Sequence, residues 1–139
     1  MIQRIQTIWL LLAAICAALT FKFPFYTGNI LNTENFQVFE ELRASSNFLL
    51  IIFTAVLTVA SLIIIFLYKN RKQQMWLTLA AAGLSIINLV IYFIKMKEFL
   101  TGNISLTAIL SFAIPIFLIL AARGIWKDEK LVKSLDRLR

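Results

Sequence analysis

Four long apolar runs, separated by short charged stretches, constrain this chain more than any other feature. They cover approximately residues 5–23, 48–68, 75–94 and 104–122. About 20 helical residues cross the ~30 Å hydrocarbon core of a bilayer, so each run is long enough to span it. The chain is 60% hydrophobic and 15% charged, and the charges collect between the runs. A soluble bundle of this make-up would have no polar face to offer water. The expected fold is an all-α membrane protein, a single domain over residues 1–139. It comprises four transmembrane helices in an antiparallel bundle and a C-terminal amphipathic cytoplasmic helix in the tail, 123–139.

The ends of the runs carry local signals. Pro24 should stop the first helix, and Lys22 can extend its ammonium toward water. A cleaved signal peptide is the rival reading of the first run. The run continues past Ala17 and Ala18 through Leu19, Phe21 and Phe23, which favours a retained span. In the long loop 24–46, Gly28-Asn29 is a turn signal. Phe36, Phe39 and Leu42 recur three apart, so a short interfacial helix is expected over 35–42. Asn47 is placed to cap the second helix, and Gly102-Asn103 to start the fourth.

Four spans put both termini on one side. That side would carry ten of the 14 Lys and Arg residues, including Arg71 and Lys72 in the turn between spans two and three. The other side would carry Lys22, Arg43, Lys95 and Lys97. The positive-inside rule then assigns both ends to the cytoplasm. Trp9, Trp76, Trp126 and Tyr68 fall near the same side, where amphipathic rings anchor helices.

Helix association in lipid needs close packing or hydrogen bonds, because lipid tails are as apolar as leucine. Small and hydroxyl residues lie in stripes that supply both. Thr58, Ser85, Asn88 and Pro115 are the candidate packing positions, with Asn88 read as interhelical glue and Pro115 as a fixed kink.

The chemistry of catalysis is sparse. The chain has no histidine, and its one cysteine, Cys16, lies inside the first apolar run. No Asp, Glu, Lys or Arg falls deep in a span, although proton coupling and charged-ligand capture usually use one. Glu40-Glu41 reads as a solvated acidic pair beside Arg43. The net charge of +7 is accounted for by orientation and anionic lipid, so no nucleic-acid partner is expected. No enzyme activity, cofactor or metal site is expected either.

The tail is the most informative charged stretch. On a helical wheel Leu131, Val132, Leu135 and Leu138 gather on one side, with Ile125 at the edge. Lys127, Glu129, Lys130, Lys133 and Arg137 hold the other, and Asp128 interrupts the apolar stripe. Topology alone does not require leucines at helical spacing, so the tail is read as an amphipathic helix facing anionic lipid or a partner. The candidate partner or lipid-binding residues are Arg71, Lys72, Lys130, Leu131, Lys133, Leu135, Arg137 and Leu138.

The opening MIQRIQTIWLLLA, at 1–13, and the closing ARGIWKDEKLVKSLDRLR, at 122–139, resemble those of the bacterial domain-of-unknown-function family 4293. That resemblance implies a small four-span protein of a bacterial inner membrane, and it carries no activity. The resulting expectation is a non-enzymatic scaffold or accessory subunit of a membrane complex. The alternative is a small-molecule or lipid carrier. The expected partners are a bilayer with an anionic inner leaflet and either a second membrane protein or further copies of the chain.

Overall fold

A computed structural model of the chain describes residues 3–137. Four helices form: α1 (Gln3–Leu19), α2 (Phe48–Phe66), α3 (Arg71–Met96) and α4 (Ile109–Asp136). Three stretches, Phe48–Lys69, Arg71–Met96 and Leu106–Leu135, are helical, long and apolar enough to cross a membrane, and Ile5–Leu19 is a shorter apolar helix. The first helix thus ends earlier than its apolar run. Beyond Leu19 the backbone tightens, with Phe21 N–H bonding to the Ala18 carbonyl and Lys22 N–H to the Leu19 carbonyl, until Pro24. At the start of α2 the Asn47 side chain accepts from Leu49 N–H at 3.1 Å, the expected cap.

The helices are apolar on the outside and partly polar on the inside. On α2 the buried positions are Leu50, Thr54, Leu57, Ser61 and Ile64, spaced three and four apart. Its exposed positions include Ile51, Ile52, Val56, Val59, Leu62 and Ile63. On α3 the buried positions are Gln74, Thr78, Ala81, Ala82, Ser85, Asn88 and Tyr92. Water as solvent would demand the opposite arrangement; lipid allows it. Helix α1 packs on α2 and α4, and α3 packs on the same two. Their common core is rich in small side chains: Ala13 and Ala17 of α1, Ala81 and Ala82 of α3, and Ala121 of α4. Such residues let helix backbones approach closely, so dispersion contacts can act where hydrophobic expulsion cannot.

The all-helical expectation fails outside the helices. Strands β1 (Tyr26–Leu31), β2 (Gln37–Leu42) and β3 (Thr101–Ile104) form an antiparallel sheet in the order β2-β1-β3. The segment expected as an interfacial helix is therefore β2, and Gly102-Asn103 lies in β3 rather than at a helix start. The cause is non-local. Phe36, Phe39 and Leu42 fit a helical period, but Phe36, Val38 and Leu42 also share one face of a strand. Pairing with β1 over six residue pairs, Tyr26↔Leu42 to Leu31↔Gln37, selects the strand. Opposite, Gly28 faces Gly102 across β1 and β3. A Cβ on Gly28 would stand 2.3 Å from the Thr101 carbonyl oxygen, and one on Gly102 would stand 2.4 Å from that of Thr27. Only glycine permits this approach. The rings of Phe99 and Tyr26 cover the two glycines and meet edge to face at 5.1 Å.

Sheet and helices share a second core of Phe25, Leu42, Ala44, Leu50, Tyr92 and Ala108. Phe25 stacks on Tyr92 at 4.5 Å and meets Phe112 at 5.8 Å, so it closes this end of the helices. The Thr107 hydroxyl donates to the Pro24 carbonyl, joining the approach to α4 to the approach to β1.

Candidate functional site

At the opposite end the tail is a direct continuation of α4, which runs without interruption from Ile109 to Asp136. Two of its residues are buried, and one of them contacts the start of α1. Ile125, expected at the edge of an apolar stripe, is fully buried. Asp128, expected to interrupt that stripe, is 6% exposed and accepts a hydrogen bond from Gln6 Nε2. Gly124, one turn earlier, makes room for this contact, since a Cβ there would meet Gln6 Cγ at 2.9 Å. Gln6, Gly124 and Asp128 together seat the root of the tail. Reading the tail alone missed this seat, because the residue that satisfies Asp128 lies 122 positions away.

Past that seat, Lys130, Leu131, Lys133, Leu135 and Arg137 are all exposed. The structure brings them together by helical spacing. Lys130 and Leu131 line one groove with Arg123, Trp126, Lys127 and Ser134. Lys130, Lys133 and Arg137 line another with Ser134. The Lys130 ammonium stands 5.9 Å from the Trp126 ring centroid, within cation–π range. Lys133 pairs with Glu129 at 2.8 Å, one helical turn apart. Arg71 and Lys72 open α3, and Lys72 is near enough for its charge to be felt at Glu129. Leu138 lies outside the described residues. Between α3 and α4, Met75, Leu79, Ile119 and Ala122 form an apolar groove that ends at Arg123 and Trp126. The surface is thus cationic with apolar strips.

The candidate packing residues divide. Thr58 Oγ1 donates to the Thr54 carbonyl at 2.8 Å, and Ser85 Oγ donates to the Ala82 carbonyl at 2.7 Å, so each hydroxyl serves its own helix. Ser61 and Thr78 do the same. Asn88 does bridge helices: its Nδ2 donates to Thr54 Oγ1 of α2 at 3.2 Å. Gln74 Nε2 adds a second α3-to-α2 bond, to the Ile64 carbonyl at 3.1 Å. Pro115 is buried within α4. Two buried atoms here, Asn88 Oδ1 and the Tyr92 hydroxyl, lack a partner among the described residues. The Tyr92 hydroxyl lies beside the Thr20 and Thr54 side chains without hydrogen-bond geometry to either.

Elsewhere two ion pairs are local, Arg43 with Glu41 and Lys95 with Glu98. Arg43 Nε donates to Glu41 at 2.9 Å, which separates Glu41 from its sequence neighbour Glu40. Among the described residues no three His, Cys, Asp or Glu side chains are grouped to hold a metal ion.

A family model described as a domain of unknown function, DUF4293, matches residues 2–138. The chain belongs to this family. No curated protein and no solved structure matches it. As a DUF4293 protein it has three helices able to cross a membrane and one shorter apolar helix.

Proposed function

We propose that this DUF4293 protein is a non-enzymatic scaffold or accessory subunit in a bacterial inner membrane. All four helices cross, with α1 completing its passage through the tight turn before Pro24, and both termini face the cytoplasm. The carrying observation is the seated tail. Helix α4 leaves the apolar region as one rod, fixed at its root by Gln6 and Asp128, and presents exposed Lys130, Leu131, Lys133 and Leu135 beyond it. A frayed tail would serve topology equally well, whereas a fixed amphipathic rod is suited to a partner. The basic charge on this end supports the orientation. The residue types support a non-enzymatic role, since the sequence has no histidine.

The test is a double substitution, Leu131→Glu and Leu135→Glu, in the natively expressed protein. Its companion in gentle detergent should be lost while abundance is kept. An unchanged companion, or a homogeneous homo-oligomer before and after, would overturn the proposal. Orientation is tested separately. With Cys16 replaced, an impermeant thiol reagent should label a cysteine at Asn32 in intact cells and miss one at Ser134.

One observation favours a second reading, a carrier of a small polar molecule. Asn88 Oδ1 and the Tyr92 hydroxyl are unpartnered polar atoms in the interior. If they bind cargo, Asn88→Leu should abolish uptake while abundance holds; equal loss of protein would assign Asn88 to packing.

A further inference from the structure

The other end of the molecule carries a surface that the scaffold reading does not use. Strand β2 is an edge strand six residues long, paired on one side only. The Asn32 N–H bonds to the Phe36 carbonyl, which fixes the phase of the ladder. Even-numbered residues of β2 therefore turn their backbone groups to β1, and odd-numbered ones turn theirs outward. The Glu41 carbonyl is taken by the Ser46 hydroxyl at 2.9 Å. The backbone groups of Gln37 and Phe39 are left on the open edge.

Natural sheets protect such edges with charged side chains, lysine above all, or with proline, a bulge or a very short strand. Strand β2 has no lysine or proline, its charges Glu40 and Glu41 lie toward one end, and its register with β1 runs unbroken from Leu42 to Gln37. Instead, large apolar side chains are exposed around it: Phe36 at 69%, Phe39 at 65%, Leu31 at 47% and Val38 at 46%. Leu42 and Tyr26 turn one face of the sheet to the helices, so Phe39, on the other face, points away from them. This is no lipid-facing position, because an open strand edge cannot persist in hydrocarbon.

Charge selects the occupant. The hairpin from Tyr26 to Leu42 contains three glutamates and no lysine or arginine. Arg43 takes Glu41, which leaves exposed Glu34 and Glu40 beside the apolar patch. An anionic lipid surface would be repelled. A second copy would bring its own Glu34 and Glu40 to the same edge. We infer that β2 is a docking edge for an extended, basic segment of a partner protein, which adds to the sheet as a fourth strand outside β2. Backbone bonds at Gln37 and Phe39 would supply affinity, and Phe36, Phe39 and Glu40 would supply selectivity.

The inference is independent of the tail and holds whichever side of the membrane the sheet faces. A photo-reactive benzoyl-phenylalanine placed at Phe36, and separately at Phe39, of the full chain in its native cells tests it. The cross-linked peptide is mapped by mass spectrometry. The expected adduct is one protein segment of net positive charge and strand-forming sequence. Its yield should fall about tenfold in the Glu34→Lys, Glu40→Lys double variant, since rim charges steer association. Gln37→Pro should lower it similarly, because only an outward N–H is lost there. If Gln37→Pro fails to accumulate, the charge reversal decides. Adducts to a second copy, to lipid alone, or to nothing at both positions overturn the inference. So does a basic adduct that persists undiminished through the charge reversal. The same probe at Leu135 reports on the tail, so failure at one end is distinguishable from failure at the other.

Discussion

The two ends of this molecule are built by different physics. At the sheet end, segments far apart in the chain are locked by backbone pairing and by aromatic packing around Phe25. At the tail end, one helix simply continues, and its root is held by a buried polar contact between Gln6 and Asp128. Where the sheet meets the helices there is a packed core of Phe25, Leu42, Ala44, Leu50, Tyr92 and Ala108. The tail is an exposed rod fixed at its root. Perturbations of equal size should therefore cost much at the first and little at the second.

The largest effect is expected at Phe25. Its ring is 2% exposed and touches Tyr92, Phe93 and Phe112 of two helices. Phe25→Ala should lower stability by about 3–5 kcal/mol, the usual range for emptying an aromatic site. Thermal unfolding of the purified protein in detergent measures it. A loss of under about 1 kcal/mol would mean that the sheet sits loosely on the helices, and the contrast between the ends would vanish.

Next comes the glycine pair. Gly28→Ala places a methyl group 2.3 Å from backbone, not from a side chain that could swing aside. The two strands must separate, at a cost of about 1–3 kcal/mol. Protease cleavage within 24–46 should rise while the helices stay protected. By contrast, Gly124→Ala meets a flexible glutamine at 2.9 Å. It should cost less, about 1 kcal/mol, and make Asp128 accessible through loss of its bond from Gln6. If the two alanines proved equally damaging, the tail root would be as rigid as the sheet.

These contrasts track what could be read from the sequence. The helices were legible because hydropathy is local and lipid leaves few options for a long apolar run. The cap at Asn47 was legible for the same reason. The sheet was not. Residues 35–42 satisfy two periods at once, and the choice depends on β1, whose own partner β3 lies over seventy residues further on. The basic character of the tail was legible, but the burial of Asp128 was hidden, because Gln6 stands at the other end of the chain. Thr58 and Ser85 matched the pattern of interhelical residues, yet their hydroxyls bond to their own helices, an option open to any Ser or Thr in a helix. Asn88 has no such local outlet for its amide, and it does bridge to Thr54.

The smallest effect is expected where the charge is densest. Lys133 is 74% exposed and pairs with Glu129 one turn away. Such a pair, screened by water and salt, adds little to stability. Lys133→Gln should therefore leave the unfolding temperature within error of the parent. The exposed cations of the tail then contribute almost nothing to stability, although they are the most conspicuous feature of the sequence. Their effect should appear in association instead. Lys130→Gln with Lys133→Gln should weaken retention on vesicles containing anionic lipid by roughly 1 kcal/mol per charge removed, and leave retention on zwitterionic vesicles unchanged. Equal retention on both would mean that the rod holds its charge clear of the membrane, for a protein partner alone.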